Sequence, residues 1–142
     1  MRKTPFCIHA DPIATRVGTN VVYCLGKDLL HLSASESKEF IQSLNDFVQP
    51  QQLYFTIGTQ PDEWYCYAKT KPKIKTVALK KILNRNLLAY FPQGKEAAEW
   101  NRLLTEIQML LHQHPLNQKR RATGQPTIDS VWFWSEWRWW WK

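Results

Sequence analysis

The segment HPLNQKRRATG, residues 114–124, concentrates side chains that could bind an anion. Lys119, Arg120 and Arg121 are consecutive cations close to Asn117, and an arginine can hold a phosphate or a carboxylate through paired donors. The candidate anion-binding patch is therefore Asn117, Lys119, Arg120 and Arg121. The alternative is a solvated basic loop that complements the C-terminus of a helix, and without further information the residue types favour this alternative.

Other residue types that carry chemistry lack the spacing that their chemistry needs. Cys7, Cys24 and Cys66 are odd in number and widely separated, so we interpret them as buried free thiols. His112 and His114 would point about 200° apart on a helix, so His114 is interpreted as a core or helix-end histidine rather than a metal ligand. The chain shows no glycine-rich phosphate loop, HExxH or GxSxG motif, and we expect no catalytic residue, metal or cofactor.

The composition limits the classes of protein that the chain can represent. With 142 residues and 44% apolar residues, it is long enough for one domain with a real core. No apolar run approaches the ~18 residues of a membrane span, so we expect a cytoplasmic protein. The formal charge of +7 favours an anionic partner, and a basic surface without such a partner is the alternative.

The apolar patterns predict several strands. A first hairpin is expected to pair residues 21–25 with 29–32, across a turn that contains Gly26. A second hairpin is expected to pair residues 53–57 with 64–68, where side chains alternate most clearly in the way that is typical of strands. Residues 127–134 form the last strand.

The same patterns predict two principal helices. Ser33 and Glu36 match a capping box, and apolar residues then follow at helical spacing over residues 34–48. A longer amphipathic helix covers residues 95–113. The expected fold class is thus α+β, with about five short, mostly antiparallel strands and one long and one medium amphipathic helix in a single domain, residues 1–134.

The last third of the chain resembles a known family. Leu104–Arg121, followed by Gly124 and by Ile128–Trp134, is similar to a largely uncharacterised bacterial family of phosphoglycerate-mutase-like proteins. The smaller motif HPxNxxR, followed by a glycine and a strand, also resembles a piece of archaeal-type cofactor-independent phosphoglycerate mutases. The matching positions, with two tryptophans of the strand, are His114, Pro115, Asn117, Arg120, Gly124, Trp132 and Trp134.

This resemblance extends loosely over nearly the whole chain and implies the N-terminal part of a longer protein. The metal-binding aspartates and histidines and the nucleophilic serine of true mutases have no recognisable motif here. The resemblance therefore implies a phosphoglycerate-mutase-like domain that lacks the machinery for phosphoryl transfer.

Residues 135–142, SEWRWWWK, form a tryptophan-rich tail where the family continues with glycines. Glycine codons read one base out of frame readily give Trp, Arg and Glu codons. We therefore interpret the tail as a frameshift product that truncates the chain, which the coding DNA tests. The alternatives are an added strand with Trp137, Trp139 and Trp141 on one face, and a tail that inserts into membranes or stacks on bases.

Three functions follow from these patterns. The first is a non-catalytic phosphoglycerate-mutase-like domain whose basic patch binds a phosphorylated metabolite or an acidic protein surface. The second is nucleic-acid binding, suggested by the charge and the many aromatic residues. The third is a protein-interaction or assembly module that uses exposed tryptophans. The sequence does not determine the oligomeric state.

Overall fold

The computed structural model describes residues 6–136, so Trp137, Trp139 and Trp141 lie outside the described residues. The described chain has five strands and four helices, which confirms the predicted α+β class. The strands are β1 (Phe6–Gly18), β2 (Val21–Gly26), β3 (Leu53–Ile57), β4 (Trp64–Ala68) and β5 (Ser130–Trp134). The helices are α1 (Ala34–Val48), α2 (Leu79–Ile82), α3 (Ala97–Gln113) and α4 (Pro115–Ala122).

Strand β1 is long enough to pair with three other strands, each time antiparallel. Its start pairs with β4, its middle with β5 and its end with β2. His9 is the Cα partner of both Tyr65 and Trp134, so β4 and β5 lie on opposite sides of β1. Strands β3 and β4 form the predicted hairpin, with Phe55 opposite Cys66.

The predicted first hairpin is wrong. Strand β2 pairs with β1 across the turn at Thr19–Asn20, where Asn20 adopts a φ of 58°. This left-handed conformation suits asparagine and reverses the chain tightly. Beyond Gly26, whose φ is +79°, the chain turns away and Asp28–Leu30 forms a short 3-10 helix instead of a strand.

The two main helices form where the sequence predicts them. The Ser33 side chain accepts a hydrogen bond from the Glu36 amide, and the Glu36 carboxylate accepts one from the Ser33 amide. This capping box starts α1 at the predicted residue, because it pairs amides that would otherwise lack partners. Helix α3 ends at Gln113, and Pro115 then opens α4, where proline is tolerated because its position needs no amide donor.

The sheet has one face covered by α1 and α3 and one face that is partly open. Because side chains alternate along a strand, Ile8 and Ala10 face the helices while Cys7, His9 and Asp11 face the other way. The main core, on the helix side, contains Ile8, Ala10, Phe40, Leu44, Phe55, Trp64, Cys66, Trp100, Leu104, Ile107, Val131 and Phe133.

The other face carries a second, smaller apolar cluster. Here Ile13 and Trp132 pack against residues of α2 and the chain after it, including Ile82 and Leu87. The Trp132 Nε1–H donates to the carbonyl of Val77 at 2.8 Å, which fixes this segment over β5. Only part of the second face is covered in this way, and His9, Asp11 and Tyr65, elsewhere on this face, line a cavity.

Candidate functional site

The main cavity of the described chain lies on this second face of the sheet. Its volume is about 1960 Å³ and it is open to solvent. The sheet side of the cavity includes His9 and Tyr65, and the segment 76–81 lines it as well. The ionisable residues that line it are Cys7, His9, Asp11, Lys27, Asp28, Asp62, Glu63, Tyr65, Lys80, Lys81 and Glu136.

His9 lies between two aromatic rings at the centre of this face. Its imidazole stacks on Trp134 with ring centroids 3.8 Å apart and planes within 5°, and it is 5.2 Å from the Tyr65 ring. Burial lowers the pKa of His9 below 6.5, and the nearby Asp11 carboxylate only partly opposes this effect. His9 is therefore held as a neutral, stacked ring at pH 7.

Asp11 is the most buried acidic residue of the cavity, with 4% of its surface exposed. One carboxylate oxygen is 2.9 Å from the Lys27 ammonium, and the other accepts a hydrogen bond from Trp134 Nε1–H at 2.7 Å. Lys27 also donates to the carbonyl of Asp62 at 3.2 Å. Both oxygens of Asp11 thus have protein partners, which compensates for the burial of the charge.

Glu63 is held as a carboxylate by its hydrogen bonds. It accepts from the Tyr65 hydroxyl at 2.5 Å, from both the amide and the hydroxyl of Thr59, and from the amide of Gln60. The Tyr65 hydroxyl is the main reason that the pKa of Glu63 falls to about 2. The same bond raises the pKa of Tyr65 to about 12, so neither group is available to take or release a proton near pH 7.

The three cysteines differ in their surroundings. Cys24 and Cys66 are buried as predicted, but Cys7 is exposed at the start of β1 on the cavity side. The prediction of a buried thiol is thus wrong for Cys7, because β1 begins at the rim of the sheet. Burial raises the pKa of all three thiols, most strongly for Cys66, where it is about 12. The protonated form is therefore favoured at each cysteine.

The residues of the HPxNxxR motif lie together around α4. Asn117 is fully buried and binds the backbone of Leu111 and Ile128. Arg120 is 2% exposed and pairs with Glu36. Anion binding at the predicted patch stays a prediction, but two of its four members, Asn117 and Arg120, are buried and bound to groups within the fold.

The other two members of the patch are exposed on α4. Lys119 points to solvent, and Arg121 donates to the carbonyl of His112 at 2.7 Å. The helix ends at a turn where Gly124 has a φ of +75°, a conformation that favours glycine. The surface that α4 offers to an anion therefore consists of Lys119 and Arg121.

His114 is a helix-end histidine, as the spacing predicts. Its Nδ1 accepts a hydrogen bond from the amide of Leu116 and so caps α4, while its Nε2 is 3.0 Å from the hydroxyl of Ser43. Because Nδ1 is an acceptor, the neutral ring carries its proton on Nε2 and donates it to Ser43. The Ser43–His114 pair therefore lacks the polarity of a serine nucleophile and its base.

This geometry predicts that His114 makes the stability depend on pH. Burial lowers the pKa of His114 below 6.5, although Glu39 opposes the shift. The unfolded chain then binds more protons than the folded one, so the contribution is fully present above pH 6.5 and is lost as the pH falls through the folded pKa. We expect the free energy of unfolding to fall between pH 7.5 and pH 5.5, as measured by urea denaturation.

A matched pair of variants isolates this contribution, since His9 has a lowered pKa as well. His114→Asn keeps a capping side chain and should reduce the pH dependence. His112→Gln, at an exposed position two residues earlier, should leave it unchanged. An equal pH dependence in His114→Asn and the wild type would contradict the assignment.

Sequence reasoning missed the cluster of His9, Asp11 and Lys27. The alternation of polar Cys7, His9 and Asp11 with apolar Ile8 and Ala10 is a strand pattern that could have indicated a polar face. The partners of these residues come from distant parts of the chain, and no local spacing predicts them.

Residues 6–136 contain neither a cluster of metal ligands nor a helix that could span a membrane. No group of three or more His, Cys, Asp or Glu side chains there is arranged to hold a metal ion. Within the same residues, no helix has both the length and the apolar character that crossing a bilayer requires.

Comparison with known structures defines the class of fold. The chain superposes on part of the cofactor-independent phosphoglycerate mutase from Thermoplasma acidophilum with a TM-score of 0.64 and 13% sequence identity. The match covers 91% of this chain and 35% of the mutase. The fold is thus that of a part of a phosphoglycerate mutase.

Sequence comparison agrees with the structural match. The chain is 23% identical over 104 residues to a probable 2,3-bisphosphoglycerate-independent phosphoglycerate mutase of Geobacter sulfurreducens. It is 25% identical over 108 residues to a 2,3-bisphosphoglycerate-independent phosphoglycerate mutase of Methanosarcina barkeri. The matches cover 73% and 75% of the chain but only 26% and 27% of these relatives. No protein-family model matches the chain. The predicted resemblance is confirmed as a weak similarity to part of these mutases.

Proposed function

We propose that the chain is a non-catalytic, phosphoglycerate-mutase-like domain that binds an anionic partner, either phosphorylated or acidic, through a basic surface. The observation that carries this proposal is residues 69–85, which we name the basic segment. It contains seven lysines and arginines and no aspartate or glutamate. Six of these cations are exposed: Lys69, Lys73, Lys75, Lys80, Lys81 and Arg85. Such a run of like charge creates a local positive potential that attracts anions.

The hydrogen bonding of the reactive side chains supports a role in binding rather than in catalysis. Asp11 is paired with Lys27, Glu63 is held ionised by Tyr65, and His114 donates to Ser43. The pKa of Glu63 is about 2 and that of Tyr65 about 12, whereas general acid–base catalysis needs a group that exchanges a proton near pH 7.

The patch predicted from the HPxNxxR motif offers a smaller surface for the same partner. Only Lys119 and Arg121 are exposed there, whereas Asn117 and Arg120 are buried. We therefore place the main contact on the basic segment and treat the pair on α4 as the second candidate.

Binding of poly-L-aspartate, measured by isothermal titration calorimetry, tests this proposal. We expect binding that weakens as salt increases, because exposed charges are screened. Lys80→Ala/Lys81→Ala should weaken binding several-fold, while Lys38→Ala/Arg102→Ala removes the same charge from the exposed sides of α1 and α3 and should have little effect.

The same titration with Lys119→Ala/Arg121→Ala measures how much the exposed cations of α4 contribute to the binding of poly-L-aspartate. Undetectable binding of poly-L-aspartate at low salt would contradict the proposed function. Equal losses in all three double variants would show that the overall charge, rather than the basic segment, attracts the polymer.

A further inference from the structure

The open part of the second sheet face carries five aromatic rings. We name Tyr54, Tyr65, Tyr67, His9 and Trp134 the aromatic face. Tyr54 is 58% exposed and the other four are partly exposed. Strand alternation places all five on the side of the sheet opposite α1 and α3.

The strand register brings these rings next to one another. Tyr54 is the Cα partner of Tyr67, and His9 is the partner of both Tyr65 and Trp134. The rings thus form two rows across the strands, one from β3 to β4 and one from β4 through β1 to β5. In the second row His9 already stacks on Trp134, with centroids 3.8 Å apart, so the facing sides of these two rings are closed to a base. The first row, Tyr54 and Tyr67, is therefore the main platform for stacking.

We propose that the aromatic face binds single-stranded nucleic acid, with bases stacked on the rings and phosphates held by the basic segment. This inference rests on the proposed function, since it names the anionic partner. Aromatic rings on an antiparallel sheet can stack unpaired bases of any sequence. A base pair inside a duplex offers no free ring face, so the geometry selects a single strand.

Charge complementarity supports this choice of partner. The basic segment begins at Lys69, directly after β4, and Lys80 and Lys81 line the cavity above His9. The positive charge lies on the basic segment, which provides seven cations, and not on the cavity lining, where Lys27, Lys80 and Lys81 accompany five carboxylates.

Fluorescence anisotropy with a labelled 15-nucleotide oligothymidylate tests the proposal. We expect the logarithm of the association constant to fall linearly with the logarithm of the salt concentration. The slope should be about 0.7 for each phosphate that the protein neutralises. Lys80→Ala/Lys81→Ala should reduce this slope by about 1.4, which is about 0.7 for each lysine, and Lys38→Ala/Arg102→Ala should leave it unchanged. A duplex of the same length should bind more weakly.

The stacking contribution is measured with a second set of variants. Tyr54→Ala/Tyr67→Ala should lower the affinity about tenfold or more without changing the salt slope, because rings contribute without neutralising phosphates. Tyr54→Phe/Tyr67→Phe keeps the rings and should retain the affinity. Far-UV circular dichroism verifies that each variant is folded, and the single variant Tyr54→Ala, at an exposed position, serves if the pair disturbs the sheet.

The outcomes separate this inference from the proposed function. Binding of poly-L-aspartate together with oligothymidylate binding that is insensitive to the tyrosine variants would overturn the inference and leave the proposed function standing. Loss of binding to both polymers would overturn both. Duplex binding as tight as single-strand binding would likewise contradict stacking on the aromatic face.

Discussion

Replacing Arg120 with alanine is expected to lower the free energy of unfolding by about 3 kcal/mol, because the partly exposed Glu36 loses its cation and two backbone carbonyls lose their donor. The guanidinium binds both carboxylate oxygens of Glu36, with Nε and Nη2 at 3.0 and 2.9 Å. Its Nη1 donates to the carbonyls of Leu30 and Pro126 at 3.0 and 2.7 Å. One side chain thus joins α4 to the start of α1 and to the loop that precedes β5.

Arg121→Ala is the matched control, since it removes an arginine from the adjacent exposed position. It should change the free energy of unfolding by less than about 0.5 kcal/mol. Urea denaturation at pH 7 measures both variants. If both variants changed the free energy of unfolding equally and only slightly, the structural role of Arg120 would be contradicted. Arg120 would then again be a candidate for anion binding.

The pair also makes the stability sensitive to acid. The hydrogen bond from Arg120 is the main reason that the pKa of Glu36 lies below its ordinary value of 4.5. The contribution of the pair is therefore present above pH 4.5 and is lost as the pH falls through the folded pKa. Glu36→Gln should therefore reduce the decrease in the free energy of unfolding between pH 5 and lower pH.

Replacing Asn117 with leucine is expected to cost about 3 kcal/mol or more, because several backbone groups lose their partners inside the protein. The Asn117 amide donates to the carbonyls of Leu111 and Ile128 at 2.7 and 2.8 Å, and its oxygen accepts from the Ile128 amide at 3.0 Å. This side chain is fully buried and connects the end of α3 to the segment before β5.

Asn117→Asp tests the same contacts with little change in shape. A carboxylate cannot donate to the two carbonyls, and a charge at this position would be buried. The variant should be less stable than the wild type at pH 7, and the difference should narrow at low pH, where the side chain is protonated. Gln118→Ala, at an exposed neighbouring position, should have little effect in the same urea measurements. Wild-type stability of Asn117→Asp at pH 7 would contradict the role assigned to Asn117.

The sequence predicted those parts of the fold that depend on local interactions. The capping box at Ser33 and the helical spacing after it located α1 at its observed residues, because capping and amphipathic periodicity act within a few turns. The β1–β2 pairing was missed because β1 continues through Pro12 and reverses only at Asn20. A strand that pairs with three partners leaves no single pattern in the sequence.

The candidate site was harder to predict for a related reason. Three consecutive cations at residues 119–121 look alike in the sequence, but successive residues of a helix point about 100° apart. Arg120 shares the inward side of α4 with Leu116, four residues earlier, so helical spacing indicates which cation is buried. Its partner Glu36 is 84 positions away, and no local rule predicts that contact.

The central claim is that the domain binds an anionic partner and does not catalyse a reaction. It is tested most directly by measuring, on one preparation of the purified chain, the conversion of phosphoglycerate and the binding of poly-L-aspartate. We predict salt-dependent binding of the polymer that Lys80→Ala/Lys81→Ala weakens, and no conversion of phosphoglycerate. Conversion of phosphoglycerate by the purified chain alone would contradict the account, as would polymer binding that is unchanged in that double variant.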